Sequence, residues 1–333
     1  MLTSTRRPTM NDDSCQAIAA RLRHGRRPQG IVAVLMPFSA QSAPDLDGLV
    51  GQLVRVQAAG LSAAVNMDTG YVQRLSAPQR AAVLALARDT LTRAPDGGGA
   101  FVAGAFVDEG AGSLADRYRR EMDAIEDHGG TPILFPCPDL RALPEPEVVE
   151  LFRRISDGRR AVLLFELGEM FVPYGRIYSL ATFSALLEIP SVVGLKHSSL
   201  NRQAEWARLA LRDQRRPDFR IYTGNDLAID MVMYGSDYLL GLAAFHPEAF
   251  AARDRRWQAG DARFFALNDL LQYLGAFAFR PPVPAYRHAA AMFLRLRGRI
   301  DCDLPPTGAP TRPDSDRAVL ADIWQRIEAE LAS

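Results

Sequence analysis

Residues 31–45 read Ile31-Val32-Ala33-Val34-Leu35-Met36-Pro37-Phe38-Ser39-Ala40-Gln41-Ser42-Ala43-Pro44-Asp45. The first eight carry no charge and do not alternate polar with apolar residues, the pattern of a strand buried on both faces of a parallel sheet. The residues directly after the run decide between two architectures. A doubly wound open sheet normally shows a glycine-rich phosphate loop after its first strand; here there is neither a GxGxxG nor a P-loop. A second continuous run, AVLLFEL at 161–167, has the same character. Shorter β-like runs lie at 63–67, 101–107, 131–136, 191–197, 219–223 and 237–245. Helix-like segments separate them, such as 45–59 with Leu46, Leu49, Leu53 and Val56, and the Ala- and Leu-rich 77–92. Eight strands alternating with helices over about 220 residues predict an α/β chain of the (β/α)8 TIM-barrel class. Residues 1–29 read as a partly helical N-terminal extension, 30–250 as the barrel and 251–333 as a C-terminal helical region.

Composition narrows the function classes. Of 333 residues, 48% are apolar and 23% charged, ordinary values for a folded chain. Acidic and basic residues balance at 39 each, so no global field favours nucleic acid or an anionic membrane as partner. No apolar stretch reaches the roughly 18 residues of a membrane span. Cys15, Cys137 and Cys302 are far apart with no CxxC, which argues against a disulfide scaffold or a structural zinc site. The opening residues are polar and Arg-rich and lack the apolar core of a secretory signal, so a reducing cytoplasm is expected.

One count stands apart. The 39 basic residues comprise 38 arginines and a single lysine, Lys196. Arginine fills most cationic roles but stays protonated, so it cannot act as an amine nucleophile. Barrel active sites lie at the C-terminal strand ends, and Lys196 ends the apolar run Val192-Val193-Gly194-Leu195. The eight ends cover roughly 16 positions, about 5% of the chain, so chance placement there is uncommon. In a low-dielectric barrel mouth the amine's pKa should fall, leaving neutral amine to attack a carbonyl. The other strand ends supply Asp68, Thr69 and Gly70; Glu166; His197; Gly224, Asn225 and Asp226; and His246.

Several of these segments resemble the dihydrodipicolinate synthase / N-acetylneuraminate lyase family of class I lyases, over about residues 30–296. Gly194-Leu195-Lys196-His197-Ser198-Ser199 is similar to the family's strand-6 motif, whose lysine forms the imine. Met67-Asp68-Thr69-Gly70-Tyr71 followed by Leu75-Ser76 is similar to its strand-2 loop, and Gly224-Asn225-Asp226 to its strand-7 G-x-D loop. The resemblance implies a TIM barrel with C-terminal helices, Schiff-base chemistry needing no cofactor or metal, and a homo-oligomer, dimer or tetramer. There are departures. The family binds a keto-acid carboxylate with two strand-2 threonines, but here Asp68 precedes Thr69 and would repel a carboxylate unless protonated or countered. The family's proton-relaying strand-5 tyrosine falls on Phe165 or Glu166, and Phe135-Pro136-Cys137 replaces its strand-4 tyrosine. Dihydrodipicolinate synthesis is therefore not expected.

The expected protein is a Schiff-base aldolase, lyase or dehydratase acting on a small polar carbonyl compound. Lys196 is the nucleophile, with Glu166 and Asp68 as proton carriers. Thr69, Gly70, Gly224, Asn225, Arg176 and His197 line the substrate. Tyr174 and Tyr178, in the loop after strand 5, are candidates to replace the missing phenol. Two alternatives remain. One is a metal-dependent isomerase or hydrolase using Asp68, Glu166, His197 and His246, although no compact ligand motif such as HExxH is present. The other is a barrel that binds a metabolite without catalysis.

Overall fold

A closed, all-parallel barrel organises the chain. The computed structural model describes residues 12–91 and 100–333; the expected helix at 77–92 therefore ends at the edge of the described residues, and the first part of the N-terminal extension lies outside them. The strands are β1 (Gly30–Ala33), β2 (Ser62–Val65), β3 (Val102–Ala105), β4 (Thr131–Leu134), β5 (Val162–Leu167), β6 (Val192–Ser198), β7 (Arg220–Thr223) and β8 (Asp237–Leu240). They pair in sequence order, and β8 closes onto β1. This is the (β/α)8 TIM barrel expected from the alternation of runs and helices.

The strands are shorter than the apolar runs that contain them. The run at 31–38 belongs to the barrel strand only as far as Ala33, yet its remaining residues stay buried as the chain passes over the barrel end. The run at 237–245 turns into a short 3-10 helix, Leu242–Ala244, after β8. Apolarity reports burial, and at a barrel rim burial outlasts strand pairing.

Helix starts are set by side-chain caps. Asp45, Ser113 and Asn201 each accept a backbone N–H from the first turn of the following helix. Ser76 and Gln79 form a reciprocal capping box at the start of Ala77–Thr90. Such caps contribute roughly 1 kcal/mol each. The boundary expected at 250/251 falls inside the helix Pro247–Ala259, which follows β8. Helices Arg263–Ala278, Tyr286–Leu296 and Asp316–Ala332 then pack together beside it. Among them Tyr286–Leu296 brings its first turn to the barrel mouth. Among the described residues, no helix is long and apolar enough to cross a membrane.

Candidate active site

Register decides which side chains meet inside the barrel. Phe165, Lys196 and Tyr222 lie side by side across β5, β6 and β7, and so do Glu166, His197 and Thr223. Side chains alternate across a strand. The first row faces the lumen and the second faces the helices. Lys196 is therefore inside the mouth, 7% exposed, with its Nζ 4.3 Å from the centre of the Phe165 ring. Phe165 packs edge-on to Phe135, which packs edge-on to Phe106, giving Lys196 an apolar wall.

The opposite wall is polar. Asp226, buried beyond β7, accepts the Leu242 N–H at 2.8 Å. Asp68, beyond β2, is 5% exposed. Its carboxylate accepts from Gln73 Nε2 at 2.8 Å and from Tyr286 Oη at 3.1 Å, and it pairs with Arg287 Nη1 at 3.3 Å. Thr69 Oγ1 lies 2.8 Å from Tyr286 Oη. A Cβ on Gly241 would stand 2.9 Å from both Thr69 Oγ1 and Tyr286 Cε2, so a glycine after β8 is what lets these groups meet. The strand-2 loop is held under strain, since Asn66 and Tyr71 have φ of 51° and 55°. Left-handed backbone at non-glycine residues costs about 1–3 kcal/mol each and clusters at functional sites. Two hydroxyls here, Tyr71 Oη and Ser198 Oγ, are buried with no hydrogen-bond partner among the described residues.

Burial acts on the two ionisable groups nearest the chemistry. Desolvation brings the Lys196 ammonium down to about 8, against the pull of the Asp226 and Asp68 carboxylates. Burial pushes the Asp226 carboxyl up to about 7, against the Leu242 N–H and Lys196, with Asp68 adding to the rise. Both groups can thus exchange protons near neutral pH.

Lys196, Asp68, Thr69 and Gly224 come together as the sequence suggested, with Gly70 in the same loop. The others do not join them. Glu166 points into the helical layer with no exposure, where both oxygens are engaged by Arg208 at 2.6 and 2.7 Å. His197 Nδ1 lies 2.5 Å from Glu166 Oε2, and the Tyr178 amide donates to Oε1 at 2.9 Å. Burial opposes ionisation of Glu166, but His197 and Arg208 outweigh it and hold its carboxyl below the ordinary value. Its position next to Phe165 is the reason: one residue along a strand reverses the face. The same alternation takes His197 outward, where Nε2 lies 2.7 Å from Ser199 Oγ. Asn225 accepts the Leu200 N–H and donates to Glu205 outside the lumen. Arg176 donates to the Leu143 carbonyl and faces Glu145 at 3.6 Å, so it braces a loop.

The tyrosine candidates separate as well. Tyr178 is buried against Phe152 in the helical layer. Tyr174 is half-buried and closer to the site: burial, with the Asp68 charge adding, pushes its phenol up to about 12. The proposed metal ligands diverge, since Asp68 faces the mouth, Glu166 and His197 face outward, and His246 caps the helix Pro247–Ala259. Among the described residues, no three His, Cys, Asp or Glu side chains are grouped to hold an ion. Asp226 stood at a strand end in the sequence, but Tyr286 and Arg287 had no signal beyond opening a helix after Pro281-Pro282. A cavity of about 750 Å³ at the barrel's other end includes Gly30, Ser62 and Asp254 in its lining, whereas barrel chemistry sits at the C-terminal face.

Comparison with known proteins fits this geometry. A family model described as "Protein of unknown function (DUF993)" matches residues 39–302. The chain belongs to the DUF993 family. No curated protein matches the DUF993 chain. Among solved structures it is similar to YagE from E. coli K12, a prophage protein of the dihydrodipicolinic acid synthase family solved with pyruvate. That match has a TM-score of 0.76 and 17% identity, and covers 90% of this chain and 98% of that one. Dihydrodipicolinate synthase from Thermotoga maritima gives a TM-score of 0.73 and 14% identity over 91% and 99% of the two chains. KD(P)GA from T. tenax gives 0.69 and 17%, again over 91% and 99%. The DUF993 chain thus has the fold of the dihydrodipicolinate synthase family.

One glycine of the DUF993 site makes a sharp prediction. A Cβ on Gly224 would stand 2.0 Å from Ser198 Oγ and 2.9 Å from Lys196 Cε. Gly224→Ala is expected to displace the lysine stem and, for the Schiff-base chemistry proposed below, to slow carbonyl capture by at least about tenfold. Overpacking should cost a further 1–3 kcal/mol or so of stability. Adduct formation followed by intact mass, beside a thermal melt, measures both.

Proposed function

We propose that the protein is a lyase of the class I, Schiff-base-forming kind, an aldolase or dehydratase acting on a small polar carbonyl compound. The observation that carries this is the placement of the chain's one lysine: inside the barrel mouth, against a phenylalanine wall, with its ammonium destabilised by burial. Lys196 Nζ adds to the substrate carbonyl carbon, the carbonyl oxygen leaves as water, and the iminium draws electrons from an adjacent bond. That bond is C–C in cleavage, or C–H ahead of loss of a β-hydroxyl in dehydration. Asp226, rather than Glu166, is the group placed to carry protons at the imine, and Asp68, Thr69 and Tyr286 hold the substrate. The proposal extends to a reducing cytoplasm, suited to the free thiols of Cys137 and Cys302, and to a homo-oligomer, dimer or tetramer, which light scattering would test.

The decisive experiment is borohydride reduction in the presence of keto acids and sugar-like carbonyls, read by intact mass and peptide mapping. A stable adduct on Lys196 is the expected result; no adduct with any carbonyl would overturn the proposal. The pH dependence is a further check. Attack needs the neutral amine, so the trapping rate should rise as pH passes through about 8 and level off above it. An ordinary lysine would keep gaining rate towards its usual value near 10.4. Asp226→Asn removes a charge that holds the ammonium up, and should move the rise to lower pH.

A further inference from the structure

The direction of hydrogen bonding on the polar wall says what kind of group beside the carbonyl this site accepts. Asp68, paired with Arg287, is an acceptor only. The Tyr286 hydroxyl must therefore donate its proton to Asp68 Oδ2. A phenol has one proton, so in the 2.8 Å contact between Thr69 Oγ1 and Tyr286 Oη the threonine is the donor. Thr69 has one proton too, and it is used. The chain runs Thr69 to Tyr286 to Asp68, and all three side chains are left with lone pairs to offer and no hydroxyl proton. Three of the loop amides are engaged as well: Gly70 and Val72 donate to the Met67 carbonyl, and Tyr71 to that of Asp68.

The cation on this wall turns its Nη1 and Nε towards protein oxygens. Arg287 Nη1 donates to both the carbonyl and the carboxylate of Asp68, its Nε donates to the Pro284 carbonyl, and its guanidinium lies 4.5 Å over the Tyr71 ring. It offsets Asp68. Burial raises the Tyr286 phenol well above its ordinary value, as does Asp68, which keeps it protonated and fixes the direction of the chain. Phe279 stacks on the ring at 4.2 Å and locks its place.

We infer that the substrate presents a hydroxyl, not a carboxylate, to the Asp68–Thr69–Tyr286 wall, so that the carbonyl captured by Lys196 is an α-hydroxy aldehyde or ketone of the sugar type. This rests on the imine chemistry proposed above and names its substrate class. A hydroxyl donates into the acceptors the wall offers. A carboxylate would meet only the lone pairs of these three side chains, with no hydroxyl proton to accept. The unpartnered hydroxyls of Ser198 and Tyr71 can accept or donate, and they suit a polar substrate of either kind without choosing between them.

Hydroxyacetone and pyruvate make a matched pair of probes, with the same three-carbon ketone carrying a hydroxymethyl or a carboxylate. Borohydride trapping of the wild-type protein across a concentration series of each, with the adduct mapped to Lys196, should show half-maximal labelling by hydroxyacetone at a concentration at least about tenfold lower. In Asp68→Asn, which keeps the shape and removes the charge, the preference should shrink towards parity. Wild-type protein labelled by pyruvate as readily as by hydroxyacetone would overturn the inference and leave the lysine chemistry standing. A hydroxyacetone preference unchanged in Asp68→Asn would overturn the role given to the wall. Labelling by neither probe, nor by the wider carbonyl panel, would remove the imine proposal and this one with it.

Discussion

Lys196→Met is expected to reduce borohydride-trapped adduct to the limit of detection with every carbonyl tried, without lowering the melting temperature. Methionine is unbranched and flexible enough to occupy the lysine stem's path between Phe165 and Gly224. What disappears is the amine, and with it a buried group whose charged form the site disfavours. Lys196→Arg should fail equally, since a guanidinium cannot lose a proton to become a nucleophile. An unchanged adduct yield in the methionine variant would place the reacting amine elsewhere and end the Schiff-base proposal.

Glu166→Gln is expected to do the opposite: a large loss of stability with carbonyl capture retained by the folded fraction. Glu166 has no exposure and joins Arg208, His197 and the Tyr178 amide. Removing one partner of a buried ion pair leaves the other charge uncompensated, at a cost of about 3–5 kcal/mol. Chemical denaturation measures the loss, and trapping kinetics on native protein measure the rest. The pH dependence has a definite sign. The folded carboxyl is held below its ordinary value, so its stabilisation is complete above the unfolded value of about 4.3 and is lost as pH falls through the folded value. Wild-type protein should lose stability on acidification through that range, and the glutamine variant should lose less. If the variant kept full stability but lost adduct formation, Glu166 would be a proton carrier as its place after Phe165 first suggests.

These two residues also mark what the sequence makes legible. Lys196 stood out because one amine among 38 guanidiniums, at the end of an apolar run, leaves little room for misplacement. The barrel was legible for a similar reason, since uninterrupted runs such as 31–38 and 161–167 need burial on both faces. Glu166 was not legible, because Phe165 and Glu166 differ by one position, and one position is the whole difference between lumen and helical layer. Only the pairing of Phe165 with Lys196 resolves it. Asn225 and Asp226 pose the same problem after β7, where the chain has left the strand and alternation no longer applies. Tyr286 and Arg287 lay beyond reach for another reason. They come from a helix more than 200 residues after Asp68, and a helix's first turn carries no mark of which cavity it will meet.

That separation along the chain has a consequence for biosynthesis. The reactive amine leaves the ribosome some 90 residues before Tyr286 and Arg287, which at about 5–20 residues per second is roughly 5–20 s. Throughout that interval a growing polypeptide can carry the amine without the phenol and guanidinium that orient Asp68. On the proposed chemistry, discrimination between carbonyl compounds is therefore the last property to be installed.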